Sequence, residues 1–113
     1  DSIFNSVRNR FDGFAEVCFH RKPSQEAHSD FPDNFFDWVY IDGGHDYDSV
    51  KADLELYLTK IKPQGFLTGD DYYLPSEDSL HPVPVRDAVE EFVKENEASI
   101  VKIIGSQFII QRN

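Results

Sequence analysis

The sequence predicts an α/β layer fold in which right-handed crossovers join parallel strands. Three observations predict it. Helical and strand patterns alternate along the chain. The stretch FFDWVYI, residues 35–41, is apolar almost throughout, which suits a strand covered on both faces of a parallel sheet. The chain closes on two apolar runs, SIVKII and QFIIQ, separated by Gly105-Ser106, the pattern of an antiparallel hairpin with a two-residue turn.

Each element follows from its residues. SIFNSVRNRF places Ile3, Phe4, Val7 and Phe11 on one helical face, and Asp12-Gly13 stops that helix. AEVCFH reads as a short strand with Cys18 buried in it. RKPSQEAHSDF carries a proline and a candidate N-cap, Ser24, so a loop with a short helix is expected. PDN is a turn, and FFDWVYI follows as a strand with Trp38 in the core. From Asp46 to Lys60, residues Val50, Leu54, Tyr57, Leu58 and Ile61 form one apolar stripe, with Asp46 and Asp48 in the first turn and Lys60 and Lys62 near the end, as the helix dipole favours. Pro63-Gln64-Gly65 ends that helix, and FLTG is the next strand. Residues 72–84, with three prolines, form a loop long enough to act as a lid. VRDAVEEFVKEN is a helix with Val85, Ala88, Val89, Phe92 and Val93 inward.

Composition narrows the function. The 113 residues suffice for one domain with a single core. A net charge of −10 argues against nucleic acid as a partner, because a phosphate backbone needs a basic face. No apolar run is long enough to span a bilayer, so no membrane partner is expected. The single cysteine, Cys18, excludes an intrachain disulfide and points to a reduced, cytoplasmic setting. Methionine is absent throughout.

The chemistry gathers where strands end. Asp42 closes one strand and Asp70-Asp71 close the next. In an open α/β sheet the ligand crevice lies beyond the carboxyl ends of the strands. If these strands are neighbours, about 4.8 Å apart, three carboxylates meet at one rim. Their mutual repulsion is relieved by a divalent cation, and hard oxygen ligands suit Mg²⁺. Gly43 and Gly44 leave the rim open, and His45 stands beside it as a general base. The same residues also fit a plainer reading, in which the aspartates are turn or capping residues and His45 belongs to the first helical turn. His20, His28 and His81 show no metal-ligand spacing.

The stretch FDWVYIDGGHDYDSVKADLELYLTKIKPQGFLTGDDY, residues 36–72, resembles the class I S-adenosylmethionine-dependent methyltransferases, in particular a metal-dependent O-methyltransferase-like group. VPVRDAVEEFV and the closing hairpin are similar to the elements that follow in that group. The resemblance covers residues 14–111. It implies a partial Rossmann-like methyltransferase fold, a mostly parallel sheet with an antiparallel C-terminal hairpin. It further implies that Asp42, Asp70 and Asp71 hold a divalent cation, expected to be Mg²⁺, and that His45 takes the proton from a small hydroxylated substrate. Asp42, Gly43, Ser24 and Gln25 would then contact S-adenosyl-L-methionine.

The resemblance also marks departures. The six glycines include no G-x-G, so the cofactor loop expected after a first strand is missing. RKPSQEA aligns with a loop that meets adenine in relatives, where GDS is usual; Ser24 is kept and the acid is replaced. Residues 1–113 are therefore expected to be the carboxyl-terminal portion of a methyltransferase domain, lacking the first two strands, with little cofactor affinity alone. One exposed sheet edge is expected, open to a second copy of the chain. Two other functions fit the residues: a hydroxylase-like relative in a biosynthetic pathway, and a non-catalytic module that needs the missing half or another partner.

Overall fold

The computed structural model describes residues 1–113. Four strands form one sheet in the order β1-β2-β4-β3: β1 is Phe36–Ile41, β2 Ile61–Gly69, β3 Ala98–Ile104 and β4 Gln107–Arg112. β1 and β2 run parallel, and β4 pairs antiparallel with both β2 and β3. The parallel pair is joined by helix α3 (Tyr47–Leu58), and helix α4 (Pro84–Glu95) leads into the hairpin. The N-terminal part holds α1 (Ser2–Arg10), the short α2 (Ser24–Ala27) and a 3-10 turn, His28–Asp30. No helix is long and apolar enough to cross a membrane.

The core lies between one sheet face and the pair α3/α4. The stripe read along α3 delivers Val50, Leu54 and Tyr57 into it, and α4 delivers Val85, Ala88, Val89 and Phe92. Against them stand Leu67 of β2 with Phe108 and Ile110 of β4. Burying such side chains contributes about 1.5–3 kcal/mol each, and this face supplies most of the apolar burial in the molecule. Asp46 caps α3 by accepting from the Ser49 amide at 3.1 Å. Lys51 ties the two helices together, reaching Glu95 at 2.9 Å and Glu91 at 3.4 Å.

The opposite sheet face has no such cover. Trp38, Tyr40, Phe66, Val101 and Ile109 line an open groove of ≈ 550 Å³ together with other strand residues alone. β1 is an edge strand with β2 as its one neighbour, so the free edge expected from the sequence is present.

Several expectations are corrected. AEVCFH forms no strand, and Cys18 is exposed. A strand needs a hydrogen-bonding neighbour, and the free edge of β1 takes none. For the same reason the sheet has one parallel ladder beside two antiparallel ones. Trp38 is not core: it is 59 % exposed, because its face of β1 meets no second layer. The apolar stripe of α1 also stays outside the core, with Ile3, Val7 and Phe11 exposed. Instead α1 folds onto the segment after it, where Phe4 and Phe11 meet the Phe19 ring edge-on or tilted and Arg21 lies over Phe4. Pro23, not Ser24, occupies the cap of α2. α3 ends at Leu58, and Pro63-Gln64-Gly65 lies within β2, taken up by a register shift against β1.

Candidate functional site

Register builds the site. Ile41 of β1 lies opposite Gly69 of β2, so the next residues, Asp42 and Asp70, leave the sheet side by side. A narrow cleft opens there, with ≈ 10 Å³ of free volume, about the room of one water or ion. Its walls are Asp42, Gly43, Gly44, His45, Asp70 and Asp71, over an apolar floor that includes Val50, Val85 and Phe108. The four residues read from the sequence as base and metal ligands therefore share one pocket.

The acidic rim is held by the hairpin turn. Ser106 donates from Oγ to Asp70 at 2.5 Å, and its carbonyl accepts from the Tyr72 amide at 2.8 Å. The Ser106 bond, followed by one from the Asp71 backbone, holds the Asp70 carboxyl below its ordinary range. Asp71 adopts a left-handed backbone, φ 64°, at the corner where the chain leaves the sheet. The combined charge of the rim is felt by Tyr40: burial pushes its hydroxyl up, and Asp70, Asp42 and Asp71 push it further. From the sequence these carboxylates are expected to hold Mg²⁺. As placed, no three of the carboxylates and imidazoles converge as a ligand cluster.

Gly69 lets the floor close. A Cβ there would meet the Phe108 ring at 2.5 Å and the Ile41 carbonyl at 2.8 Å. His45 also borders a second pocket of ≈ 330 Å³, whose other walls include Asp46, Tyr47, Leu74, Pro75 and Asp78. The loop over it is held by its own bonds, Ser76 amide to Pro82 carbonyl at 2.8 Å and Leu80 amide to Asp78 at 2.9 Å. His81 stacks on Tyr47 with ring centroids 3.6 Å apart, which fastens the loop to α3.

Around the corner of β1 lies a third pocket, ≈ 340 Å³, lined by Ser24, Val39, Tyr40, Ile41, Asp42, Gly43, Asp53 and Tyr57. Ser24, Asp42 and Gly43, read from the sequence as cofactor residues, meet here; Gln25 is exposed and does not line it. Ser24 donates from Oγ to Asp53 Oδ1 at 2.7 Å, and the Tyr57 hydroxyl donates to the Ser24 carbonyl at 2.6 Å. Burial pushes the Asp53 carboxyl up; the Ser24 bond pulls against this, and Asp46 adds to the rise.

Sequence reasoning missed Ser106 and Asp53. Ser106 read as a turn residue, and nothing local joins it to Asp70; only the pairing of β4 with β2 does. Asp53 had a signal: it lies three residues after Val50 and four before Tyr57, on the buried side of α3.

A family model described as a methyltransferase domain matches residues 3–72. No curated protein sequence matches the chain significantly. Among solved structures, a Corynebacterium glutamicum protein superposes with a TM-score of 0.76 at 14 % identity, over 99 % of this chain and 57 % of that one. A Bordetella parapertussis protein gives 0.63 at 12 % identity, over 98 % of this chain and 50 % of the other. The O-methyltransferase NovP gives 0.66 at 20 % identity, over 96 % of this chain and 43 % of its own. At these identities the likeness is one of fold, and the chain spans about half the length of these structures.

Proposed function

The chain belongs to the methyltransferase-domain family, and from that membership we propose that it carries the acceptor side of an S-adenosylmethionine-dependent methyltransferase acting on a hydroxyl of a small molecule. One observation supports this reading above the others: Asp42, His45, Asp70 and Asp71 line a single cleft at the carboxyl ends of adjacent parallel strands.

In this reading His45 accepts the proton of the substrate hydroxyl, and the oxygen it frees would attack the sulfonium methyl of S-adenosylmethionine, so that an O–CH₃ bond forms as the S–CH₃ bond breaks and S-adenosylhomocysteine leaves. In-line geometry requires the reacting atoms to be held about 3–3.5 Å apart. Ser106 fixes Asp70, and Gly43 and Gly44 leave room for the acceptor oxygen. Asp42, Asp70 and Asp71 would hold the divalent cation, which supplies positive charge that lowers the pKa of a hydroxyl beside it. Calorimetry with Mg²⁺ tests the cation: the parent chain gives heat of binding, and the double variant Asp42→Asn, Asp70→Asn gives none. Equal heats from both would remove the cation from the proposal. In an active enzyme containing this chain, His45→Ala lowers kcat by about 10²–10⁴-fold with substrate affinity kept; unchanged turnover would remove the base.

A second reading is favoured by the uncovered groove at Trp38 and the free edge of β1. Here the chain is a module that works only with further polypeptide or a second copy against that face. Sedimentation tests the second copy, since a monomer at all concentrations excludes it.

A further inference from the structure

We infer that the uncovered sheet face receives helix α1 of a second copy of this chain, the two copies exchanging helices about a two-fold axis. The inference rests on the second reading above and deepens it, because it names both the occupant of the groove and the segment that enters it.

Two apolar faces of the chain lack cover, and they match in shape. Ile3, Val7 and Phe11 recur every four residues along α1, and Phe14 follows against the edge of Phe11. All four are exposed, and α1 buries no residue. The groove at Trp38, Tyr40, Phe66, Val101 and Ile109 is the concave counterpart of this ridge. An amphipathic helix laid into an apolar groove is read by anchors at this spacing. The inner side of α1 is already used at home. Phe4 packs edge-on against Phe19, while Arg21 lies over Phe4 and donates to Asp1 at 2.7 Å. That leaves the ridge facing outward, toward the groove of another molecule.

Charge favours the same occupant. The chain stands at −10, so two copies repel wherever their acids meet. The groove contains no carboxylate, and Lys102 is its one charged residue. Helix α1 contains no acid and ends in Arg8 and Arg10. Neither arginine pairs with a carboxylate of its own chain. Tyr40 of the groove stands within the field of Asp42, Asp70 and Asp71, so the basic end of α1 belongs at that rim. Area is sufficient as well. Phe11, Phe14, Trp38 and Tyr40 are each roughly half exposed, and covering one removes on the order of 100 Å². A two-fold exchange counts each of them twice, giving about 800 Å² before Ile3, Val7, Val101 and Ile109 are added. A specific interface buries about 1,200–2,000 Å² in total.

The test follows the 113-residue chain by sedimentation across a micromolar concentration series. The parent passes from monomer to dimer. Val7→Asp, on the ridge, and Val101→Glu, in the groove, change exposed positions outside the core, and each raises the dimer dissociation constant at least tenfold by placing a charge in the contact. Mixed together, the two variants associate more tightly than either does alone, because the intact helix of one meets the intact groove of the other. NMR on a mixture of isotope-labelled and unlabelled parent chains shows contacts between the Val7 methyls of one copy and the Trp38 ring of the other. A dimer that keeps parental affinity in Val7→Asp, or that lacks those contacts, overturns the exchange while a second copy stands. A monomer throughout the series overturns the exchange and leaves the groove to further polypeptide, the other arm of that reading.

Discussion

At the scale of the residue, the acidic rim was legible because chain direction alone carries it. An apolar run that ends in Asp-Gly-Gly-His must leave the sheet at its carboxyl end, and the same holds for Gly-Asp-Asp after FLTG. What neighbouring strands add from elsewhere in the chain was not legible, which is why Ser106 escaped notice. Gly69 belongs to the same class. Gly69→Ala forces the Phe108 ring or the Ile41 carbonyl to shift, and it should cost about 1–3 kcal/mol in urea denaturation while disturbing the cleft. Asp53 gives a prediction in pH. Its folded-state pKa lies above the ordinary 3.8, so its contribution to stability is most favourable below that value and is lost as pH rises through the folded pKa. Asp53→Asn should therefore melt higher than the parent at pH 7, with the gain shrinking as pH falls through the raised folded pKa and gone below about 3.8; a gain that stays constant from pH 7 down to pH 3 would contradict the assignment.

At the scale of the element, the patterns of α3, α4, β2 and the closing hairpin were readable because their partners lie within the chain. The segment AEVCFH shows the converse. Its residues are strand formers, yet pairing is a property of two segments, and no strand lies beside it. α1 has helical spacing and a side-chain cap, Asp1 accepting from the Phe4 amide at 2.7 Å, but propensity cannot announce whether a helix will find a surface. Caps can be tested directly. Asp46→Ala should destabilise the fold by about 1 kcal/mol at neutral pH. The carboxyl of Asp46 is held below its ordinary 3.8, first by Ser49, so this contribution is present above that value and fades as acid protonates it. The difference between variant and parent should therefore vanish in acid. Lys51→Met should loosen the seam between α3 and α4, seen as faster amide exchange near the start of α3 and in the last turns of α4, because Glu91 and Glu95 lose their shared partner.

At the scale of the whole molecule, the fold is lopsided. Only 18 of 113 residues are buried, and nearly all of them lie on one side of the sheet. The radius of gyration is 15.0 Å, against about 13 Å for a compact domain of this length. The surplus reflects the N-terminal segment, whose aromatic cluster stands apart from the core. Stability is accordingly concentrated: Leu54→Ala, at the centre of the single core, should cost about 2–5 kcal/mol, enough to unfold much of a domain with so few buried side chains. The groove on the other side holds the chain's single tryptophan. Trp38 is thus a built-in fluorophore aimed at solvent: acrylamide should quench it freely, and any polypeptide that settles over the bare strands should shift its emission to the blue without a label being attached.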